Sequence, residues 1–482
     1  MKRIAQFLAI SSLCAAQAGC DLFDPTETNN PDVTEESVVG QPGSLGRWVT
    51  GLERQAAIVF DEAITTLEIG SDNYDNTQTF FNQGFDRLLI NYTDDDVEDI
   101  LFSLSDLRET SVYGREVIAA ADPDASDAQI AETYFFEGLA ALYIGELFVG
   151  APNEGEGPVV GPEVHLNRAV SSFQAALDLA DEASYRLALA RAYYGLGDQA
   201  NAVAAAEAVL SADPEFVRFA DFDPVNDPAS DIQDAIYDRG SFDDLQPLPR
   251  LDFLDPKYNV VGTSDDPIAY LKAEEAHLIL IEARLADGDL SGAQDQMNEL
   301  LDLVESRPLD TFSDAAEGRT QQAPGSRPDS TNFVVRASPD APFREGLVLD
   351  RGPGSALVTV PSVSGTSVTE ERVDEVDSVD DAVALLYLLR QEIFIAEGRR
   401  FSDLGLRMPV HQNEVIANPN LEDSDPATQA FIPPFVQAIS EEIDAFTIGD
   451  VDGDGLIQVT ILHDLNEILS QNRTSDAVVP FF

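Results

Sequence analysis

The sequence predicts a mainly α-helical protein, built from tetratricopeptide-like helical hairpins with a loop-rich part and small β elements. Apolar residues recur at helical spacing through residues 41–305, which indicates a series of amphipathic helices. Within that region a pattern of small and apolar residues repeats over a window of about 34 residues, the length of a tetratricopeptide repeat. Residues 306–377 are instead rich in Pro, Gly, Ser, Thr and Asp, and their short alternating runs predict loops with small strands.

The first predicted helices precede the repeats. An apolar stripe through Trp48 and Leu52 predicts one helix, and a similar stripe after Asp94 predicts a second. Ser126 followed by Gln129 forms a capping box, so we expect a third helix to start there and to end near Phe148.

Three helical hairpins follow from the repeat pattern. The clearest copy starts at Ala183 and turns at Gly197, and a second copy covers residues 271–304. Residues 131–148 and 167–180 form a third pair with a longer connection. Three stacked pairs are enough to bury a shared core. Ordinary antiparallel hairpins would give the same architecture.

The chain divides into six predicted segments with different compositions. The last of them contains a predicted β-hairpin of residues 445–448 and 457–461 around a Gly/Asp turn. The segments are a signal peptide (1–19), a lipid-anchored tether (20–40), a helical repeat region (41–305), a loop-rich region with short strands (306–377), a C-terminal helix with its ending (378–421) and an appended tail (422–482).

The N-terminus has the pattern of an export signal. A basic start is followed by an apolar run of residues 4–13, which is too short to span a bilayer. Ala16 and Ala18 fit ordinary cleavage before Gly19, whereas Ala18, Gly19 and Cys20 resemble a lipobox with cleavage before Cys20. Cleavage leaves Cys20 as the sole cysteine, and the polar stretch after it is typical of a tether. We therefore predict lipid attachment at Cys20.

The charge excludes some partners. The chain has 88 acidic and 28 basic side chains and a net charge of −60, so nucleic acid is not an expected partner. Only three lysines are present, Lys2, Lys257 and Lys272. A lysine-poor, acidic surface suggests a halophilic protein that faces a salty medium. Binding of an anionic ligand would require a local cluster of arginines.

Sequence motifs of enzymes are largely missing. No G-x-S-x-G or P-loop motif occurs, and the four histidines are far apart in the chain, without zinc-site spacing. A hydrolase that uses acidic residues is a third-ranked alternative, because the many carboxylates hide any specific pair. We expect a protein that is not an enzyme and that needs no cofactor, calcium excepted.

A calcium site is predicted in the tail. Asp450, Asp452 and Asp454 occupy alternating positions before Gly455, as in an EF-hand loop. Position twelve of that loop would be Ile461 rather than the usual glutamate. A plain acidic turn between two strands is the competing interpretation.

Sugar binding requires an aromatic face next to amide and carboxylate groups. That composition occurs after the first long helix and again, on a smaller scale, at Tyr258. Packing alone would also explain these residues. The candidate ligand-binding residues are Asn73, Tyr74, Asn76, Phe80, Phe81 and Tyr258.

The residues after the last long helix carry a family resemblance. Glu392, Glu397-Gly398, Arg400 and Asp403-Leu404 match a Glu…Glu-Gly-x-Arg-x-x-Asp-Leu pattern, and residues 409–421 resemble the segment that usually follows it. With the Cys20 tether and the repeat helices, these segments resemble the SusD/RagB-like outer-membrane nutrient-binding lipoproteins over nearly the whole mature chain. We interpret the charged residues of this pattern as structural, since charges at helix ends commonly form caps and ion pairs.

The resemblance implies a SusD-like fold and a binding function. It implies capture of a nutrient, such as an oligosaccharide, and delivery to a TonB-dependent, SusC-like barrel in the outer membrane. The protein would face the cell exterior and contact the membrane only through its lipid anchor. The alternative is a tetratricopeptide-type scaffold for protein assembly at the outer membrane, with no small-molecule ligand.

Overall fold

The computed structural model describes ten ranges of the chain. Within them the fold is mainly α-helical with small sheets, as predicted. Cys20 and the whole predicted signal peptide lie outside these ranges. The described residues are 39–76, 82–155, 157–226, 228–238, 245–259, 263–314, 328–351, 357–451, 453–478 and 481–482.

Most of the described helices lie in the region predicted to be helical, and two of them continue into π-helical turns, at Gly114–Ala119 and Asp234–Asp238. The helices are α1 (Ser44–Ile69), α2 (Gln83–Asp86), α3 (Asp95–Tyr113), α4 (Asp127–Leu147), α5 (Pro162–Leu179), α6 (Ala183–Gly195), α7 (Gln199–Ala212), α8 (Asp231–Gln233), α9 (Ala273–Ala286), α10 (Leu290–Ser306), α11 (Glu370–Asp374), α12 (Val379–Ile393), α13 (Arg400–Asp403), α14 (Gln412–Ala417), α15 (Pro434–Gln437) and α16 (Leu465–Gln471).

The strands form small sheets. Four antiparallel pairs join β1 to β5, β2 to β3, β4 to β6 and β7 to β9, and one three-stranded sheet has the order β10-β11-β8. The strands are β1 (Tyr74–Asn76), β2 (Ala151–Pro152), β3 (Val159–Val160), β4 (Val217–Ala220), β5 (Leu245–Pro247), β6 (Ile268–Lys272), β7 (Leu309–Phe312), β8 (Phe333–Arg336), β9 (Val358–Pro361), β10 (Phe446–Val451) and β11 (Ile457–Ile461).

The three predicted hairpins are present and stack in order. They are α4/α5, α6/α7 and α9/α10, and each successive helix in this series packs against the next. The capping box of Ser126 and Gln129 starts α4 as predicted. Gly197 and Gly288 adopt φ values of +70° and +77° in the tight turns of the second and third hairpins, where a residue with a Cβ would be strained.

Small residues allow the helices to approach closely. A Cβ at Gly138 of α4 would lie 2.6 Å from the ring of Phe173 on α5. Ala188, Ala206 and Ala293 of the later hairpins are fully buried. These contacts set the spacing of the stack, because a larger side chain would push one helix away from the next.

The C-terminal part of the chain joins the same core. The predicted β-hairpin is confirmed as β10 and β11, and β11 also pairs in parallel with β8 of the loop-rich region. Helix α16 packs on α12, which in turn contacts α9 of the stack. Buried apolar residues from Leu52 to Val478 form one continuous cluster. The tail is therefore part of the packed structure.

No helix among the described residues has the length and apolar character needed to cross a membrane.

Candidate functional site

The Glu-Gly-x-Arg-x-x-Asp pattern lies in the interior, where α12 ends and α13 begins. Glu397 is 7% exposed and accepts hydrogen bonds from two buried ammonium groups, those of Lys257 and Lys272. The Nζ of Lys272 lies 2.6 Å from Oε1 of Glu397, and burial lowers the pKa of this lysine to about 8 even though Glu397 opposes the shift. Both lysines of the described chain are thus used inside the protein.

Gly398 makes the turn between the two helices. Its φ of +68° belongs to the left-handed region, which residues with a Cβ rarely adopt. Its backbone N–H donates to Oε1 of Glu68 at 2.7 Å. Complete burial raises the pKa of Glu68 to about 7, although the bonds from Asn73 and Gly398 favour its charged form.

The remaining charges of the pattern are also paired. Arg400 donates to both carboxylate oxygens of Asp72, at 2.6 and 3.1 Å, and Arg390 donates to Oδ1 of Asp403 at 2.5 and 3.1 Å. All four residues are less than 8% exposed. The interpretation of this segment as structural is therefore confirmed by its contacts.

Glu392 of the same pattern has a different set of partners. Its carboxylate accepts from the Thr366 hydroxyl and from the backbone N–H and hydroxyl of Ser367, at 2.6 to 2.7 Å. It therefore ties helix α12 to the loop before α11.

The structure places the described candidate sugar-binding residues in the interior. Asn73 and Tyr74 are 0% exposed, Tyr258 is 2% exposed and Asn76 is 8% exposed. Phe80 and Phe81 lie outside the described residues. The rings of Tyr74 and Tyr258 therefore offer no solvent-facing surface on which a sugar could stack.

The polar groups of these residues are engaged within the protein. Asn73 donates through Nδ2 to Glu68 at 2.8 Å, and Tyr258 donates its hydroxyl to the carbonyl of Ala396 at 3.2 Å. Both contacts lead to the interior segment around Gly398. Their use as ligand contacts stays a prediction that the burial does not favour.

The acidic turn of the tail is exposed. Asp450 and Asp454 are solvent-facing, and Asp452 lies outside the described residues, so calcium binding at this turn stays a prediction. Elsewhere in the described chain, two groups of three residues place one ligand atom each within 4.8 Å of the others. They are Asp75, Asp86 and Asp444, and Asp95, Glu98 and His411.

An aromatic groove with the chemistry expected for sugar binding lies between α1, β4 and β6. It has a volume of about 370 Å³. Phe219 of β4 is 40% exposed and presents part of its ring to the groove. The groove-lining side chains are the aromatic residues Phe136, Phe219, Phe222 and Tyr270 and the polar residues Thr50, Glu53, Arg54, Arg218, Asp221, Asp223 and Asn226.

The polar wall of the aromatic groove is held in place by Arg218. Its guanidinium lies 4.2 Å from the centre of the Phe135 ring and donates to Oε2 of Glu132 at 2.8 Å. Partial burial raises the pKa of Glu53, Arg218 opposes this shift, and Glu132 and Asp221 add to it. The groove thus combines an exposed ring with fixed cationic and acidic hydrogen-bonding groups.

Sequence reasoning missed this groove. The run of residues 218–223 contains the same mixture of aromatic and acidic residues as the run that begins at Asp72, and Asn226 follows closely. This mixture of aromatic and acidic residues is the one sequence feature that could have indicated the groove. The sequence does not reveal that strand β4 presents Phe219 outward, next to the N-terminal half of α1.

The described part of the chain contains further cavities, three of which are large enough for a small ligand. One of about 540 Å³ is lined by Phe253, Leu301 and Leu309, and one of about 330 Å³ by Arg390, Arg399 and C-terminal residues. The third, of about 270 Å³, is lined by several arginines.

Comparison with known proteins identifies the fold. No family model matches the sequence, and no curated protein matches it.

Several solved structures match over most of their length. A SusD-like protein from Bacteroides fragilis has a TM-score of 0.52 at 12% identity, covering 81% of this chain and 98% of its own. A SusD superfamily protein from the same species has a TM-score of 0.51 at 14% identity, covering 80% and 99%. One from Parabacteroides distasonis has a TM-score of 0.51 at 10% identity, covering 81% and 98%. The chain therefore has the SusD-like fold.

Proposed function

We propose that this protein is an outer-membrane lipoprotein that binds an oligosaccharide in the aromatic groove and delivers it to a TonB-dependent, SusC-like barrel. The exposed Phe219, set beside fixed polar groups in a protein of SusD-like fold, carries this proposal. The SusD/RagB-like pattern of residues 390–421 and the resemblance of residues 18–20 to a lipobox support the same function. The role is binding without catalysis.

The physical basis of binding is stacking combined with hydrogen bonds. The apolar face of a pyranose ring packs on an aromatic side chain, and the hydroxyl groups bond to carboxylates, amides and guanidinium groups around it. Phe219 supplies the ring, while Glu53 and Asp221 supply acceptors at the same groove. An uncharged glycan suits this groove better than an anionic one, because the acidic side chains repel negative charge.

Isothermal titration calorimetry against a panel of neutral oligosaccharides tests the proposal. We expect at least one of them to bind, and Phe219→Ala to weaken that binding about tenfold, or about 1.4 kcal/mol. Phe102→Ala is the matched control, because Phe102 is a phenylalanine of α3 that is 70% exposed and does not line the groove. Equal loss in both variants, or no binding by any member of the panel, would contradict the proposed site.

The anchor and the transporter are tested separately. A palmitate analogue should label the wild-type protein and not Cys20→Ala, and equal labelling would exclude acylation at Cys20. Tagged protein purified from detergent-solubilised outer membranes should carry a TonB-dependent barrel with it. If a different protein co-purifies and no oligosaccharide binds, the scaffold function is favoured instead.

A further inference from the structure

The cavity of about 270 Å³ is lined by three arginines from distant parts of the chain. Arg250 belongs to the 3₁₀ turn Pro249–Leu254, Arg344 follows β8, and Arg372 lies in α11. We call this site the arginine cavity. Four carboxylates, those of Asp381, Glu392, Asp464 and Glu467, line the same cavity, so what matters is which guanidinium groups are left without an acceptor.

Arg250 forms the buried end of the arginine cavity. It is 4% exposed and donates to Asp464 at 3.0 Å, to Gln391 and to Asp72 at 3.4 Å. Its Nε is buried and has no hydrogen-bond partner among the described residues. A buried N–H without an acceptor is costly, so a ligand that supplies an oxygen would relieve that cost.

The other two arginines have no carboxylate partner among the described residues. Arg344 donates only to Ser367, through Nη1 to the hydroxyl at 3.1 Å and through Nη2 to the carbonyl at 2.8 Å. The guanidinium of Arg372 has neither an ion pair nor a hydrogen bond in that part of the chain, and its Nη1 is buried. Burial lowers the pKa of Arg372, and the charges of Arg344 and Arg250 lower it further, whereas Glu392 and Asp464 act in the opposite direction. The two guanidinium groups therefore lie close enough to repel each other.

The acidic residues of the arginine cavity are already occupied or exposed. Glu392 accepts three hydrogen bonds from Thr366 and Ser367, and Asp464 accepts from Arg250. Asp381 and Glu467 also line the cavity but are solvent-exposed. Neither forms an ion pair with Arg344 or Arg372, which are half-buried.

We propose that the arginine cavity binds a small organic monocarboxylate, with Arg372 and Arg344 as its principal hydrogen-bond donors. The guanidinium of Arg372 has no acceptor among the described residues and that of Arg344 bonds only to Ser367, so one carboxylate on the ligand can serve both. A carboxylate matches the planar guanidinium group in shape. Its two oxygens can accept two parallel hydrogen bonds from the same arginine. The volume suits a ligand smaller than the ~300–1,000 Å³ typical of drug-sized sites.

The apolar part of the wall fits the rest of such a ligand. Leu347, Leu385 and Leu388 line the same cavity and are less than 10% exposed. They lower the local dielectric, which strengthens the interaction between a carboxylate and the arginines. This site is separate from the aromatic groove, so the proposal is independent of glycan binding there.

Calorimetry and thermal unfolding with acetate, lactate, benzoate and glucuronate test the proposal. We expect at least one of them to bind and to raise the unfolding temperature as its concentration increases. Arg372→Gln should weaken this binding at least tenfold, and Arg344→Gln should also weaken it. Arg47→Gln, at an exposed arginine of α1, should leave it unchanged. Circular dichroism of each variant establishes that it is folded.

Other outcomes would overturn the assignment. They are no binding by any monocarboxylate, binding that Arg372→Gln does not alter, and tighter binding of inorganic phosphate than of every monocarboxylate. Glucose serves as the uncharged counterpart of glucuronate, and equal binding of the two would also exclude a carboxylate site. Phe219→Ala should not affect monocarboxylate binding, so failure here and failure of the glycan proposal are distinguishable.

Discussion

Two arginine-rich regions of this protein differ in how their charges are used. In the segment of residues 390–403, Arg390 and Arg400 are less than 3% exposed and are bonded to Asp403 and Asp72. In the arginine cavity, Arg372 has no opposite charge bonded to it in the described part of the chain. Arg390 and Arg400 are thus each bonded to a carboxylate, whereas the half-buried guanidinium of Arg372 is bonded to none among the described residues.

The difference separates a structural role from a binding role. A buried ion pair with good geometry holds two parts of the chain together, and removal of one partner leaves an uncompensated charge. A half-buried arginine without a partner contributes little to stability and is available to an anionic ligand. Charge alone does not distinguish the two roles, whereas the partners do.

Removal of a buried charge from the segment of residues 390–403 should have the largest effect on stability. Glu397→Ala removes the shared partner of Lys257 and Lys272 and leaves two buried ammonium groups without a carboxylate. We expect a loss of about 3–5 kcal/mol in the free energy of unfolding. Urea denaturation followed by circular dichroism measures it. Glu305→Ala, at an exposed glutamate of α10, should change the free energy of unfolding by less than about 0.5 kcal/mol. Similar losses of unfolding free energy in both variants would contradict the proposed role of Glu397 as the shared partner of Lys257 and Lys272.

The pH dependence of stability reports on a buried carboxyl beside the same region. Glu282 of α9 is 1% exposed and accepts from the Tyr194 hydroxyl at 2.7 Å, and burial raises its pKa to about 7 although Arg390 opposes the shift. The folded state thus holds a proton that the unfolded state releases near pH 4.5. Stability from this group is therefore full below pH 4.5 and is lost as the pH rises to about 7, by about 3 kcal/mol in all.

Glu282→Gln should remove that dependence. The variant cannot ionise, so its unfolding free energy should fall less than that of the wild type between pH 5 and 8. Urea titrations at several pH values measure the difference. Glu305→Gln serves as the exposed control and should follow the wild type. An identical pH profile for Glu282→Gln and the wild type would rule out this assignment.

Substitution of Gly398, which makes the turn within residues 390–403, should have a smaller effect on stability. Gly398→Ala places a Cβ at a φ of +68° and 3.2 Å from Cδ1 of Leu67. Gly288→Ala has a similar φ of +77° with no atom within 4 Å. We expect about 1–2 kcal/mol of destabilisation from backbone strain in both, and a further loss in Gly398→Ala from crowding. Thermal unfolding of the two variants separates these contributions, and a greater loss in Gly288→Ala would contradict them.

The stability of the protein should tolerate substitution of Arg372 in the arginine cavity. Arg372→Gln removes a guanidinium that has no partner in the described structure and that Arg344 repels. We expect the free energy of unfolding to change by less than about 1 kcal/mol without ligand. Arg400→Gln, by comparison, should cost several times more, because it leaves Asp72 without its bidentate partner. Equal losses in urea denaturation would mean that the two regions do not differ in the way described.

Sequence patterns predicted the elements better than the site. Capping residues, tight-turn glycines and apolar periodicity act within a few residues of one another, so the helical hairpins and the β10/β11 hairpin were predictable. The structural role of residues 397–403 was also predictable, because charged residues at helix ends usually form pairs. Their partners were not.

The sequence by itself determined the helical class, the repeated hairpins, the acidic surface and the SusD-like pattern, since all of these depend on composition or on local spacing. Only the tertiary structure decided which aromatic and charged residues face solvent. Asp72 and Asn73 have the composition of a sugar-binding loop, yet Asp72 is bonded to Arg400, 328 residues away. Phe219 has an ordinary strand context and is exposed at a groove. Burial depends on contacts between distant parts of the chain, and no local pattern contains that information.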